Sequence, residues 1–106
     1  MANTFKNYAS ANIGITETTV LTASTATTVI GYSVANTTAN NIQVSLVLTT
    51  GGNNYYIVKN ALVPTGGALV PVGGEQKLVL ESGDAIKVTS SAASSVDVIL
   101  SVLEIT

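Results

Sequence analysis

The chain has 106 residues and only ten formal charges, four Lys and six Asp or Glu, for a net charge of −2. Cys, His, Arg and Trp are all absent. Without thiolate or imidazole, zinc, copper, haem and iron–sulfur ligation are excluded in practice, as is Ser–His or Cys–His catalysis. Without Arg, and with a negative balance, the surface offers phosphates almost nothing, so nucleic acid is not an expected partner.

In chain order, residues 1–16 stand apart. They are rich in Asn and Ala, with Phe5 and Tyr8 as isolated aromatics and Gly14 between two Ile. They read as an N-terminal arm or an edge strand, and an arm carrying two aromatics is expected to dock on a neighbour. Residues 17–106 read as one β-sandwich domain. Strands are predicted at Thr18–Thr22, Thr27–Ala35 and Ile42–Thr49, the last alternating apolar and mostly polar positions. Gly51-Gly52-Asn53-Asn54 then supplies a turn before a strand at Tyr55–Lys59, the firmest hairpin signal in the chain. Further strands are predicted at Ala68–Val72, Gln76–Leu80, Ala85–Ser90 and Val96–Ile105. Eight short strands with no helical stripe predict an all-β chain, a single-domain antiparallel β-sandwich or a small barrel. Pro64-Thr-Gly-Gly and Pro71-Val-Gly-Gly read as two turns flanking one strand.

The last strand is apolar on both sides. Val96, Val98, Leu100 and Val102 share one face; Ile99, Leu103 and Ile105 share the other with Asp97 and Ser101. A sandwich of this size has no third layer, so Ile99, Leu103 and Ile105 are expected to meet another subunit or a partner. Tyr32, beside Gly31, reads as core or a sandwich corner. Tyr55 and Tyr56 point to opposite faces, which predicts that one is exposed and available as an interface anchor. The candidate interface is therefore Phe5, Tyr8, Tyr55, Tyr56, Ile99, Leu103 and Ile105.

No motif carries a reaction. Tyr55-x-x-x-Lys59 has the spacing of a dehydrogenase tyrosine–lysine pair, but that pair needs a helix and a dinucleotide fold, and this segment reads as strand. The glycine pairs are not followed by the Lys and Ser/Thr of a phosphate loop. Glu81 and Asp84 flank Gly83 as two carboxylates, too few for a calcium site, and read as a solvated turn with an Asx-type hydrogen bond. Nothing singles out two of Glu75, Glu81, Asp97 and Glu104 as a glycosidase pair. No catalytic, cofactor-binding or metal-binding residue is assigned, and no enzyme or cofactor is expected. No aliphatic run exceeds three residues, so no membrane span is expected. The N-terminus shows no signal peptide, Ala2 excludes myristoylation, and the triplet Asn36-Thr37-Thr38 carries little weight as a glycosylation site.

Several stretches are familiar together: Val34-Ala-Asn-Thr37; Tyr56-Ile-Val-Lys-Asn-Ala61 with Pro64; Gly73-Gly-Glu-Gln-Lys-Leu-Val-Leu-Glu-Ser-Gly-Asp84; and Ser101-Val-Leu-Glu-Ile105. In these the chain resembles the small virion structural proteins of tailed bacteriophages, especially those infecting cyanobacteria and other marine bacteria. The likeness spans nearly everything after residue 16 and rests on turns and strand registers. It implies a β-sandwich subunit of the particle, of jelly-roll type, made in the host cytoplasm and located in the virion. Capsid decoration (cement) proteins and neck, collar or tail-fibre-attachment proteins share this architecture. The resemblance carries over no functional residue.

Composition points the same way. A dispersed protein surface usually carries about a quarter of its residues as charges, whereas this whole chain is 9% charged. Residues 18–58 contain no charge at all. A low-charge, Thr-rich β-protein suits an assembly that hides its faces and sheet edges. The expected partners are other virion proteins, a major capsid or neck protein, and further copies of the chain in a homo-oligomer, first of all a trimer. The reading from another class is a displayed module that binds a host glycan through Tyr55 or Tyr56.

Overall fold

A computed structural model describes residues 3–72 and 78–105. Among them are nine strands: β1 (Asn3–Ile13), β2 (Thr18–Thr22), β3 (Ala26–Asn36), β4 (Ile42–Thr50), β5 (Asn53–Val63), β6 (Ala68–Val72), β7 (Leu78–Leu80), β8 (Ala85–Ser90) and β9 (Val96–Ile105). Gly73, Gly74, Glu75, Gln76 and Lys77, which hold one predicted turn and the start of a predicted strand, lie outside the described residues. No helix occurs among the described residues, and none is therefore long and apolar enough to cross a membrane.

The architecture follows from one long nested hairpin. Its outer end pairs β1 with β9, and the next pairs are β2 with β8, β3 with β6 and β7, and β4 with β5, all antiparallel. Rolling this ribbon brings β9 onto β3 and β8 onto β4. Two sheets result, one in the order β1-β9-β3-β6 with β7 also on β3, the other β2-β8-β4-β5. Consecutive strands change sheet except at β4–β5 and β6–β7, and this wrapping is that of a jelly roll. The chain is thus a single-domain antiparallel β-sandwich. Rolling closes the sheets on one another because each has one strongly apolar face.

At the hairpin's tip, Thr50 pairs with Asn53 across Gly51 and Gly52, whose φ values are 60° and 81°. Two consecutive positive φ values define the tight turn whose twist matches its strands, and glycine adopts it without steric cost. Elsewhere parity does the work. In β9, Val96, Val98, Leu100 and Val102 face inward and are buried; Leu46, Ile86 and Val88 of the other sheet and Val29 and Val34 of β3 complete the same core. Tyr32 lies in this core too. Its hydroxyl has no hydrogen-bond partner among the described residues, and burial pushes the phenol's pKa well above its ordinary value.

Residues 3–13, read as an arm or an edge strand, make a ninth strand paired with β9 at the edge of its sheet. One sequence reading changes. β5 runs on past the polar Lys59-Asn60 to Val63, because irregularities against β4 absorb the extra residues and Asn60 takes φ 54°, where its N–H donates to Ser45 Oγ at 3.1 Å. At the Glu81–Asp84 turn the Asp84 side chain makes the hydrogen bond to backbone that a turn reading expects, Glu81 N–H donating to Asp84 Oδ2 at 2.9 Å, while Asp84, buried rather than solvated, donates its N–H to Glu81 O. Asn36 is buried as well. Its Nδ2 donates to Asn40 O and Val63 O, at 2.8 and 3.1 Å, so this side chain is committed to a corner of the sandwich.

Candidate functional site

Because β9 alternates strictly, the residues opposite its core-facing valines emerge on the outer surface of the first sheet. Register fixes what joins them there. Phe5 of β1, Leu103 of β9, Thr28 of β3 and Val79 of β7 form one row across four strands. Ala9, Ile99 and Ser33 form a second, and Asn3, Ile105 and Ala26 a third. Phe5 is 73% exposed, Val79 66% and Ile99 54%, while Leu103 and Ile105 are half-buried. Val70 of β6, 64% exposed, extends the patch beyond β3.

Between these rows Asn7, Ser101 and Gly31 face one another in register, and β3 bulges at Ile30. A glycine and a serine side by side leave a shallow hollow of about 270 Å³, lined by Phe5, Lys6, Asn7, Ile30, Ser101 and Val102. Lys6 lines the hollow, and Asp97 is the charged side chain that register places on the outer face of β9. It sits at one end, where its Oδ1 accepts the N–H of Asn12 at 3.1 Å in the β1 bulge. The outer face of the second sheet differs. There Gln43, Ser45, Lys87 and Thr89 are polar, Val47 is buried between Tyr56 and Lys87 in register, and Leu62, opposite Gln43, is an exposed apolar residue at the β5 edge.

The remaining interface candidates fall elsewhere. Tyr8 turns to the inner side of β1. Its hydroxyl donates to Glu104, whose other carboxylate oxygen lies 3.3 Å from Lys6 Nζ. The Tyr8 hydrogen bond, with help from Lys6, holds the Glu104 carboxyl below its ordinary pKa, and the same bond raises that of Tyr8. Tyr55 and Tyr56 are both exposed, since the end of the β4–β5 hairpin is uncovered on either face. Lys59 Nζ lies 5.2 Å from the Tyr56 ring centre, a cation–π contact at a wet site. The seven candidates thus divide between the sheet face (Phe5, Ile99, Leu103, Ile105), the hairpin end (Tyr55, Tyr56) and a half-buried polar cluster (Tyr8).

Sequence reasoning misses Glu104 as a buried carboxylate, although position 104 continues the inward parity of Val96 to Val102. It also misses Val70, Val79 and Ile30, which reach the face only through β3. No group of three or more metal-ligating side chains occurs among the described residues.

No protein-family model matches the chain, and no curated protein does. Solved structures do share its fold. A chain of the Bacillus endospore appendages, described as a novel family of disulfide-linked pili, matches with TM-score 0.58 and 15% identity over 96% of this chain and 87% of its own. A chain of the T13 IBDV viral particle matches with TM-score 0.56 and 12% identity over 95% of this chain. This chain spans 30% of that one. A pentameric capsid protein from metagenomic phage sequences matches with TM-score 0.43, 15% identity, and coverage of 94% and 59%. The structural neighbours are thus capsid and pilus chains, and what they share with this one is the fold.

Proposed function

We propose that the chain is a non-enzymatic structural subunit of a bacteriophage virion, a capsid decoration or cement protein that packs its apolar sheet face against neighbouring protein. The observation that carries this reading is the outer face of the β1-β9-β3 sheet, where Phe5, Ile99, Leu103 and Val79 lie together without a covering layer. A soluble monomer gains nothing from such a patch, whereas an assembled subunit gains about 25 cal/mol for each Å² of apolar area it buries. The low charge count and the jelly-roll fold, which capsid chains also use, support the same role. In a shell the subunit would associate with copies of itself, a trimer being the arrangement first expected, and with a major capsid protein. Mass measurement in solution with cryo-microscopy of purified particles tests the reading. A permanently monomeric chain absent from particles would sink it.

A fibre or neck component is the second reading. Likeness to an appendage pilus chain over nearly the whole length of both favours it. With no Cys, such a fibre would be held without disulfides. Open filaments in negative stain, instead of closed oligomers, would select this alternative.

A further inference from the structure

We propose that the outer face of the first sheet joins two copies of this chain about a two-fold axis, with Phe5 of each copy seated in the hollow beside Phe5 of the other. The inference rests on the structural-subunit reading and names the partner of that same face.

Three features of the face carry it. Knob and socket adjoin: the exposed Phe5 ring stands on the rim of the hollow whose other walls include Asn7, Ile30 and Ser101. A patch that holds both halves of a contact is what an isologous interface requires, because residue i meets j while j meets i. Size is the second feature. The hollow, shallow and open with a volume of about 270 Å³, gives a phenyl ring room to lie against its floor rather than be enclosed. Strands spaced ~4.8 Å apart and ~3.3 Å per residue long make this four-strand face roughly 600 Å² in plan, the order of the ~800 Å² each partner buries in a standard interface. Charge is the third. Two identical faces repel when each carries charges of one sign. Here Asp97, engaged by Asn12 at one end, and Lys6, which lines the hollow and pairs with Glu104, are of opposite sign, so no one-sign repulsion builds up.

Gly31 and Ser101 have a reason to be small on this account. Large side chains there would fill the socket, while the subunit itself has room for a methyl group at Gly31: a Cβ there would meet Ser101 Cβ at 3.5 Å, an ordinary contact.

Sedimentation velocity of the full chain at micromolar concentrations tests the proposal, using Phe5→Ala and Phe5→Trp variants whose fold is checked by circular dichroism. The expected result is a reversible dimer whose Kd rises about 30-fold or more in Phe5→Ala, the loss produced by truncating a central aromatic anchor. Phe5→Trp, the sole indole in a chain without Trp, should show emission that shifts to the blue as the dimer forms. A trimer, a monomer at all concentrations, a dimer indifferent to Phe5→Ala, or an indole that stays solvent-exposed would each overturn the two-fold contact. A trimer, or a monomer present in purified particles, would do so while leaving the virion reading standing.

Discussion

The hydroxyl of Tyr8 donates to the carboxylate of Glu104, 96 positions away in sequence, and so ties the inner side of the first strand to the end of the last. β1 adds few fully buried side chains to the core, with Ile13 at its far end, so this polar cluster is a large part of what holds its other end against β9. Lys6 completes it from the same strand.

Stability should respond to pH through that pair. The folded-state pKa of Glu104 is depressed below 4.5, so its contribution is present above that value and is lost as pH falls through the folded pKa. Tyr8 is raised above 10.0, so its contribution is full below that pH and is lost as pH climbs toward the folded value. Urea midpoints should form a plateau between these limits and fall on both sides. Tyr8→Phe should lower the thermal midpoint at neutral pH by about 5 °C and flatten the acid limb.

Asn36→Ala should be costly for a residue outside the apolar core. It strips the partner from Val63 O and from the Thr38 N–H, which donates to Asn36 Oδ1 at 2.8 Å. Stranding these groups should cost about 2–4 kcal/mol, read as a lower urea midpoint at unchanged slope.

The tip of the hairpin should tolerate no β-branched residue. Gly52→Val places a bulky side chain at φ 81° and should cost about 1–2 kcal/mol. Gly31→Ala, where the backbone is not left-handed and the new Cβ finds ordinary contact, should leave the fold's stability nearly unchanged. The two urea curves, measured side by side, check the contrast.

Two neighbours in β9 should behave oppositely. Leu100→Ala opens a cavity at a fully buried position and should cost about 2–5 kcal/mol. Ile99→Thr keeps a β-branched residue on the outer face and should change the stability of the dilute chain by about 0.5 kcal/mol or less. If Ile99→Thr proves as damaging as Leu100→Ala, the face is part of the subunit's own core.

Local pattern carries most of this fold. β2, β6, β8 and β9 have their predicted bounds, with turn-forming residues close by: Ser24 after β2, Gly67 before β6, Asp84 and Ser91 around β8, and Ser95 before β9. Asn60 misleads: a polar residue after Lys59 reads as a strand end, while the structure uses its tolerance of positive φ to bulge and carry on. β1 is obscure for a related reason, since an edge strand with polar inner partners such as Lys6 and Tyr8 lacks the apolar stripe that announces a strand. The face is half legible. That Ile99, Leu103 and Ile105 share a side follows from parity alone. That Phe5 and Val79 stand in the same row depends on the register of β1 on β9 and of β7 on β3, which joins segments far apart in sequence and leaves no local signature.

The nested pairing has a topological consequence. Asn3 lies opposite Ile105, so the first and last described residues share one mouth of the ribbon, while Gly51-Gly52 closes the other end. Opening the backbone at that glycine pair and bridging residues 105 and 3 with a short linker leaves every strand its original neighbours. Such a circular permutant should assemble the same sandwich, with new ends emerging beside Tyr55 and Tyr56 and none beside Phe5.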